Sequence, residues 1–331
     1  MKNTIKIISF SLIIITVMLL VSCKSKTPET NGYTAKTVRI NYTSTIASCA
    51  FQIMKSMNTL EKYLPSDVSV EWINIENAAT HRDALVAGNI DVTTQPMPQV
   101  ISAVENDMPI VFLSNSVVMT SKVYSNNPHI HSLNDILPND KISISGIGNQ
   151  HHISFQVMCK EIFGNADQFG LNLIRVDNTE VIAMLQSSNE IDCAIFGFPM
   201  TLTADSMDNL EVIADLSPTL LEYDMRNTYV TSKNFYEQNP AIISALHHAI
   251  KEAIDFINES PEEASTILAN FYVDAEADDV EEYLRMYPPT FNISESAYNK
   301  LAKLMYELNI LQNSPKMFAE FSNYDSVPRT E

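Results

Sequence analysis

Ile90-Asp91-Val-Thr-Thr-Gln-Pro-Met-Pro98 returns, 101 residues later, as Ile191-Asp192-Cys-Ala-Ile-Phe-Gly-Phe-Pro199. In both stretches an Ile-Asp pair follows a predicted helix and opens a predicted strand. In both, a proline comes seven residues after the aspartate. Short Ile-Asp matches arise by chance, but the order of strands and helices around the two stretches also agrees. The echo therefore predicts two lobes of the same design.

The residues around the echo alternate between strand-like and helix-like patterns. Around the first copy of the echo, between residues 38 and 113, we predict strands at 38–42, 68–72, 90–93 and 110–113. The helices predicted in this part are at 46–60, 77–87 and 100–105. The order restarts with strands at 142–144, 171–176, 191–196 and 210–213, and helices at 153–162, 179–188 and 200–207. Helices follow near 240–259, 261–271, 276–287 and 294–312. Such alternation favours parallel sheets flanked by helices, an α/β fold.

The N-terminus is typical of a secreted lipoprotein. Lys2 and Lys6 precede an apolar run from Ile7 to Val21, which is shorter than the roughly 20 residues of a spanning helix. Leu20-Val21-Ser22-Cys23 resembles the lipobox at which bacterial lipoproteins are cut and acylated. We therefore expect a signal peptide at 1–22, lipidation of Cys23 and a polar tether at 23–36. The alternative is an ordinary signal peptide with an incidental cysteine.

The composition is acidic and leaves room for two domains. Removing the leader takes two of the 21 basic residues and none of the 40 acidic ones, which leaves a net charge of −21. Such a surface repels nucleic acid and anionic lipid. From Thr37 onward roughly 290 residues remain, enough for two domains of ordinary size.

Three cysteines remain besides Cys23, and none has a C-x₂-C spacing. Cys49 and Cys159 lie on apolar faces of predicted helices, and Cys193 lies in a predicted buried strand. We expect buried free thiols. A Cys159–Cys193 disulfide is the alternative, because both residues fall in one predicted lobe.

Five short stretches resemble a known family. Asp83-Ala-Leu-Val-Ala-Gly-Asn-Ile-Asp91, with Met108-Pro-Ile-Val111 after it, is similar to the first lobe of periplasmic binding proteins for sulfonates, taurine, nitrate and thiamine-precursor pyrimidines. His131-Ser-Leu-Asn-Asp135 and Lys141-Ile-Ser-Ile-Ser-Gly146 resemble the start of that family's second lobe, and Ser188-Asn-Glu-Ile-Asp192 its "GeiDA" motif. The chain departs from the family in having few glycines, for example at Ser187-Ser188. The resemblance spans about residues 38–311.

The resemblance implies a type II periplasmic-binding-protein fold. The first lobe is expected at 37–118 plus 227–331 and the second at 119–226, joined by a two-segment hinge that closes on a ligand. The implied function is that of a lipid-anchored, extracytoplasmic solute-binding component of an ABC importer, in the periplasm or at the cell surface. We expect no catalysis and no cofactor. The expected partners are a small solute, the importer permease and a membrane through the lipid anchor, but no nucleic acid, and the chain is expected to be a monomer.

Two other functions stay open. One is an enzyme on the same fold, of the pyrimidine or menaquinone-pathway type. The other is a surface lipoprotein that senses without transport, which a closed cleft filled by its own side chains would favour. The sequence contains no GxSxG elbow and no P-loop, and the cysteine-rich stretch of the pyrimidine synthases is absent.

Ligands of open α/β sheets bind outside the carboxyl ends of the strands. That rule selects loops after the predicted strands and residues near the crossover between lobes. The candidate ligand-binding residues are Thr43, Ser44, Thr45, Thr94, Gln95, Thr120, Ser121, Asn149, Gln150, His151, Phe196, Phe198 and Pro199.

Two of these loops, 43–45 and 148–151, end where a helix begins. Their free N–H groups favour an anion, although plain helix capping explains either loop alone. Phe196 and Phe198 are expected either to wall the pocket or to lie in the core. If His151 lines the cleft, affinity should depend on pH near 6 to 7.

The arginines and histidines of the sequence give little evidence for an anionic ligand or a metal site. Arg226, near the return crossover, either pairs with an anionic ligand or with a carboxylate of the chain. The histidine pairs 129/131, 151/152 and 247/248 come without HExxH or C-x₂-C spacing, so we expect no metal. The scarcity of arginines near the cleft mildly favours a neutral ligand.

Overall fold

A computed structural model describes residues 32–176, 178–187, 190–273, 275–318 and 329–330. Cys23, the predicted signal peptide and the tether before residue 32 lie outside the described residues. So do Ser188 and Asn189 of the family motif.

The described chain builds two five-stranded sheets. The strands are β1 (Thr37–Tyr42), β2 (Ser69–Asn74), β3 (Val92–Pro96), β4 (Ile110–Val118), β5 (Ser121–Ser125), β6 (Ile142–Ile144), β7 (Leu173–Arg175), β8 (Cys193–Gly197), β9 (Glu211–Asp215) and β10 (Arg226–Ser232). The first sheet has the order β2-β1-β3-β10-β4 and the second β7-β6-β8-β5-β9. The two orders are the same when β6 to β9 are matched to β1 to β4. The expected two lobes of one design are thus present, and β3 and β8 keep the spacing of 101 residues.

Helices cover both sheets. They are α1 (Cys49–Met57), α2 (Ala78–Val86), α3 (Met97–Glu105), α4 (Gln150–Phe163), α5 (Asn178–Ser187), α6 (Met200–Asp205), α7 (Ser217–Glu222), α8 (Lys233–Gln238), α9 (Pro240–Glu259), α10 (Pro261–Leu268), α11 (Ala277–Met286) and α12 (Glu295–Glu307). A short 3-10 helix, Ile46–Ser48, precedes α1, and Ala269–Phe271 follows α10. Most predicted helices and strands are present within a few residues.

The expectation of parallel sheets was wrong for one strand in each sheet. β10 runs antiparallel to β3 and β4, and β5 runs antiparallel to β8 and β9. Neither strand was predicted from the sequence. The chain crosses from one sheet to the other at residues 119–120 and again at residues 216–225. β5 follows the first crossing and lies between β8 and β9, and β10 follows the second and lies between β3 and β4.

The repeated aspartate ties the third strand of each lobe to the first. The Asp91 N–H donates to the Arg39 carbonyl at 2.8 Å, and the Asp91 carboxylate accepts from the Arg39 N–H at 2.8 Å. The guanidinium of Arg39 binds the same carboxylate, with Nη2 2.7 Å from Oδ1. In the second lobe, the Asp192 N–H donates to the Lys141 carbonyl at 3.0 Å and its carboxylate accepts from the Lys141 N–H at 2.8 Å. The Ile-Asp echo thus has a structural cause, since the aspartate sets the register of neighbouring parallel strands.

Helix α4 packs on both lobes. Phe155 and Cys159 lie in the core of the second sheet. Ile153 and Val157 belong to a cluster with helices α3 and α12 of the first sheet. Every residue from Gln150 to Val157 is buried, as expected of a helix that is enclosed on all sides. This helix therefore contributes to the apolar cores of both lobes.

The folded part begins before Thr37. The N–H groups of Thr34 and Ala35 both donate to the Asn239 side chain at 2.8 Å, and the Gly32 carbonyl accepts from the Ala241 N–H. Residues 32–36 were expected to belong to the tether. They pack on the first lobe instead, because the Asn239 side chain satisfies their main-chain groups.

Cys49, Cys159 and Cys193 are buried free thiols, and the alternative Cys159–Cys193 disulfide is not formed. Within the described ranges, we find no helix with the length and apolar character needed to cross a bilayer.

We predict that Asp91→Asn lowers the free energy of unfolding by about 1–3 kcal/mol, because it removes the negative charge and replaces one of the two acceptor oxygens, which bind the Arg39 N–H and guanidinium, by a donor NH₂ group. Asp192→Asn should cost less, since no guanidinium contacts that carboxylate. Chemical denaturation of each variant measures the loss. The exposed Asp208→Asn is the matched control and should stay within about 0.5 kcal/mol of the parent. If Asp91→Asn behaves like this control, the carboxylate does not hold the strands together.

Candidate functional site

A cluster of hydroxyl groups follows β1. The Thr43 Oγ1 lies 2.9 Å from Thr45 Oγ1 and 3.0 Å from Ser48 Oγ. Gln52 donates from Nε2 to the Thr43 carbonyl at 2.7 Å, and its Oε1 accepts from the Tyr272 hydroxyl at 2.7 Å. These contacts fix the predicted loop 43–45 against the first turn of α1.

Two main-chain donors of this loop, the N–H groups of Thr43 and Ser44, already have acceptors. The Thr43 N–H donates to Ser48 Oγ at 3.0 Å. The Ser44 N–H donates to both carboxylate oxygens of Glu76, at 2.9 and 3.1 Å. The place at which an anionic ligand was expected is therefore taken by a carboxylate of the chain itself.

Beneath the loop, a second set of hydroxyls joins three elements. Ser116 Oγ lies 2.9 Å from the Ala47 carbonyl oxygen and 2.9 Å from the Tyr229 hydroxyl oxygen. The Tyr229 hydroxyl also accepts a hydrogen bond from the Ala50 N–H at 3.1 Å. Thr94 donates to the same Ala47 carbonyl at 3.4 Å. Burial raises the pKa of the Tyr229 phenol well above its usual value, so this group stays neutral.

Two predicted residues, Thr94 and Gln95, lie within β3 rather than after it. Every residue of β3 is buried, so the strand continues past the apolar residues that marked it in the sequence. The Gln95 Nε2 lies 3.0 Å from the Ala78 carbonyl, to which it donates, and 3.0 Å from His81 Nδ1. The Gln95 Oε1 is buried with no hydrogen-bond partner.

Other amides on neighbouring strands repeat this arrangement. Thr228 of β10 lies opposite both Gln95 and Asn115 in the register, so these three residues form one row across the sheet. The Asn115 Nδ2 donates to the Asn292 carbonyl at 2.9 Å, and its Oδ1 has no partner. Asn227, which directly precedes Thr228 in the chain, has an Nδ2 without a hydrogen-bond partner.

The second lobe contributes two more unpartnered side chains at the start of α4. Gln150 Nε2 lies 3.4 Å from Met119 Sδ at the first crossing, and Gln150 Oε1 has no partner. His151 is buried, and its Nδ1 has none either. Burial lowers the pKa of His151 to about 4, so the imidazole is neutral at neutral pH.

Gly197 sits where His151 meets the crossing. A Cβ built on Gly197 would lie 2.8 Å from His151 Cε1 and 2.9 Å from the Thr120 carbonyl oxygen. Such distances are too short for a methyl group, so only glycine fits. Ser121, which pairs with Gly197, is fully buried, and its Oγ has no partner. Gly197 was not among the predicted site residues, although its place in the echo was a signal.

We call these unpartnered buried side chains the interlobe seam. Its members lie at the end of β3, in β4, at the start of β10, at the first crossing and at the start of α4: Gln95, Asn115, Ser121, Gln150, His151 and Asn227.

Asn149 is a helix cap in the structure. Its side chain accepts from the His152 N–H at 2.9 Å, and the Gly148 N–H donates to His152 Nδ1 at 3.2 Å. Both loops chosen for an anion thus direct main-chain donors to groups of the chain.

An aromatic group closes another part of the interface between the lobes. Phe198 stacks on Tyr283 with ring centroids 4.0 Å apart and lies edge-on to Tyr272 at 6.4 Å. The Tyr283 hydroxyl donates to the Val118 carbonyl at 2.8 Å and accepts from the Thr120 N–H at 3.0 Å. Tyr272 and Tyr283 were not predicted from the sequence, because the C-terminal helices carry no local pattern that marks a site.

The remaining predicted residues do not join this group. Phe196 lies in the core of the second lobe, with its ring 5.6 Å from that of Tyr124. Pro199 directly precedes α6. Arg226 pairs with Asp224 at 2.7 Å and donates to the Ser116 and Pro288 carbonyls, so its guanidinium is engaged within the chain, as the second of the two expectations had it. Across the described ranges, no three His, Cys, Asp or Glu residues are grouped to hold a metal ion.

Comparison with known proteins agrees with this architecture. A "putative ABC transporter periplasmic binding protein" of Brachyspira hyodysenteriae is 22% identical over 286 residues, which cover 82% of this chain and 80% of that protein. The alkanesulfonate-binding protein of Xanthomonas axonopodis pv. citri, solved with MOPS bound, superposes with a TM-score of 0.70 at 14% identity, over 89% of this chain and 99% of that one.

A further solved structure, the periplasmic nitrate-binding protein of Synechocystis PCC 6803, has a TM-score of 0.61 at 17% identity over 76% of this chain and 70% of that one. At such identities the likeness shows the fold alone, which is the periplasmic-binding-protein fold expected from the sequence. The family model described as "NMT1/THI5 like" matches residues 63–264, more than half of the chain. This chain therefore belongs to the NMT1/THI5-like family.

Proposed function

We propose that this chain is the extracytoplasmic solute-binding component of an ABC importer. In this proposal the lobes at 37–118 plus 227–331 and at 119–226 close over a small solute, and the permease recognises the closed form. Membership of the family and the fold support this function. So do the names of the Brachyspira relative and of the sulfonate- and nitrate-binding neighbours.

One observation carries the proposal, and it is the interlobe seam. A buried polar atom without a partner costs about 1–3 kcal/mol, and native proteins keep few of them. Six such side chains lie in β3 and β4, at the start of β5 and β10 and at the start of α4. Others, such as Gln99 and His247, lie elsewhere in the described residues. A solute bound between the lobes would give these groups their hydrogen bonds.

The seam also bears on the alternative of a sensor whose cleft is filled by its own side chains. Phe198 does fill part of the interface, stacked on Tyr283. A self-filled cleft would have to satisfy its own polar groups as well, and Gln95, Asn115 and Gln150 leave carbonyl oxygens unmatched. The solute-binding function therefore explains more of the interface than a filled cleft does.

We propose further that the chain has no catalytic activity. Efficient acid–base groups have pKa values near the working pH. Burial raises the pKa of the Cys49 thiol to about 11 and of Cys159 and Cys193 to about 12, so none of the three is a ready nucleophile. Burial lowers the pKa of His151 to about 4, too weak a base for proton transfer at neutral pH.

The solutes considered are sulfonates, taurine, nitrate and thiamine-precursor pyrimidines. We expect one of them, at 100 times its dissociation constant, to add about 2.7 kcal/mol to the free energy of unfolding. That is a rise of several degrees in Tm, measured on the full-length chain extracted in detergent. Because the proposal rests on the seam, Asn115→Leu should abolish the rise, while exposed Gln312→Leu should keep it. A compound that stabilises the parent and the Asn115 variant equally would place its site elsewhere.

The lipid anchor has its own test. We propose that the lipobox is cut before Cys23 and that the cysteine is acylated, since anchoring by several acyl chains is firm whereas one is marginal. Cys23→Ser should abolish labelling by radioactive palmitate and move the chain out of the membrane fraction. Ser22→Ala is the control and should keep both. Labelling that persists in Cys23→Ser would contradict the anchor.

Acid should destabilise the closed lobes through His151. An imidazole is half-protonated near pH 6.5 in the unfolded chain, while burial holds the pKa of His151 at about 4 in the folded one. Between pH 4 and 6.5 the imidazole is protonated more in the unfolded chain than in the folded one. The burial of His151 therefore does not reduce the free energy of unfolding above pH 6.5, and it reduces it progressively as the pH falls toward 4. From the sequence we expected the affinity to depend on pH near 6 to 7 if His151 lines the cleft, and that remains a prediction. The lowered pKa of the buried imidazole moves the change in stability to lower pH.

We predict that His151→Gln reduces the pH dependence of the unfolding free energy between pH 6 and 4.5 by up to about 1.4 kcal/mol per pH unit, the value for one proton. Denaturation curves at several pH values measure it, and exposed His129→Gln is the control. His81 and His247 also have pKa values lowered to about 4 by burial, but they remain in every variant. An unchanged slope in His151→Gln would mean that this imidazole is not buried in solution.

A further inference from the structure

We propose that the solute donates hydrogen bonds through N–H or O–H groups and carries no net negative charge, so that oxyanions such as sulfonates and nitrate are excluded. This inference rests on the proposed solute-binding function and narrows the class of solute. Three independent features of the described residues support it.

The first feature is the chemical identity of the unpartnered atoms. An amide side chain presents one acceptor oxygen and one donor NH₂ group. The NH₂ groups of Gln95 and Asn115 are engaged with the carbonyls of Ala78 and Asn292, at 3.0 and 2.9 Å. The NH₂ of Gln150 faces the Met119 sulfur. The free atom of each of these three amides is therefore its carbonyl oxygen, an acceptor, and the residues are 1%, 2% and 2% exposed. The fourth amide of the seam, Asn227, has a free donor, its Nδ2, so acceptors outnumber donors among the free amide atoms by three to one.

An oxyanion placed against these three oxygens would meet like partial charges in a buried site. Its own acceptor atoms would stay unpaired, which is costly for a buried charge. A ligand with amino, amide or hydroxyl groups gives each oxygen the donor that it lacks. Ser121 and His151 can act as donor or acceptor and complete either arrangement.

The second feature is the absence of a buried cation. Among the buried residues of the described ranges there is one aspartate, Asp91, but no lysine and no arginine. Arg226 is the arginine closest to the seam in sequence, and Asp224 and two main-chain carbonyls engage its guanidinium. The burial of His151 keeps its imidazole neutral near pH 7. The guanidinium of Arg82 pairs with the exposed Asp83 carboxylate through Nη2 at 3.2 Å, although its buried Nε has no hydrogen-bond partner. Among the described residues, no fully buried lysine or arginine is left to balance an anionic solute.

The third feature is that carboxylate and amide groups of the chain occupy the two anion-binding positions predicted from the sequence. Glu76 accepts the Ser44 N–H with both carboxylate oxygens, and the Asn149 side chain accepts the His152 N–H. The charge of Glu76 beside loop 43–45 repels an approaching anion as well.

The test uses Gln150, where two substitutions have opposite expected effects. Gln150→Met has a similar shape but no acceptor, whereas Gln150→Glu keeps the acceptor and adds negative charge. Binding is measured by titration calorimetry on the full-length chain in detergent. The probes are a hydroxymethylpyrimidine, thiamine and riboflavin on one side, and nitrate, methanesulfonate and ethanesulfonate on the other. Gln312→Leu is the surface control, and circular dichroism checks the fold of each variant.

We expect the parent chain to bind a member of the first set and none of the second. For that compound, Gln150→Met should weaken binding about tenfold, the loss of one hydrogen bond of roughly 1.4 kcal/mol. Gln150→Glu should keep or strengthen binding, and Gln312→Leu should not change it. If a variant does not fold, the comparison of the two probe sets on the parent still decides.

Binding of nitrate, methanesulfonate or ethanesulfonate by the parent would overturn this inference and leave the solute-binding function standing. The inference would also be overturned if Gln150→Glu abolished binding of the first set while Gln150→Met did not. If no probe binds and mass spectrometry finds no small molecule released from the purified chain, the solute-binding function itself fails, and this inference fails with it.

Discussion

The fold depends on one repeated interaction, the carboxylate of an aspartate that accepts the main-chain N–H of a residue at or just before the neighbouring parallel strand. Asp91 does this for Arg39 and Asp192 for Lys141. Each aspartate also donates its own N–H to the carbonyl of the same residue. The pair of bonds sets β3 beside β1, and β8 beside β6. Since register determines which residues reach the end of a strand, this interaction also sets the groups that meet between the lobes.

The interface between the lobes has two parts that differ in chemistry. On one side Phe198 of the second lobe stacks on Tyr283 of the first, and the Tyr283 hydroxyl bonds to the main chain on both sides of Met119. On the other side lie the amides of the interlobe seam. Apolar contact holds the lobes together without direction, whereas unpartnered carbonyl oxygens call for specific donors. We infer that the aromatic part favours closure and that the seam selects the solute.

Much of this architecture follows from sequence. The 101-residue echo predicted a repeated lobe, and β3 and β8 lie at that spacing. The crossing strands Ser121–Ser125 and Arg226–Ser232 did not follow, because they are short, rich in polar residues and held by pairing with distant strands. β3 was cut short at Thr93, since its last residues are polar although all are buried. Local periodicity carries no signal for a strand that is enclosed on both faces.

The candidate site was predicted less well, for a related reason. Loops at strand ends were the right place to search, and Gln150 and His151 are in the seam. Yet Asn115, Asn227 and Tyr283 reach the interface between the lobes from positions that no sequence pattern marked as part of a site. Whether an N–H group is free for a ligand is decided by tertiary contacts. Glu76 reaches Ser44 from 32 residues away in the chain, and no motif announces such a bond.

The most direct measurement is a crystal structure of the chain purified from its own membrane without denaturation. We predict electron density for a small molecule between the lobes, with donor atoms within about 3 Å of Gln95 Oε1, Asn115 Oδ1 and Gln150 Oε1. Density for an oxyanion held by main-chain N–H groups of residues 43–45 would contradict the proposed class of solute. Lobes whose seam amides bond to one another, with no molecule between them, would contradict the solute-binding function itself.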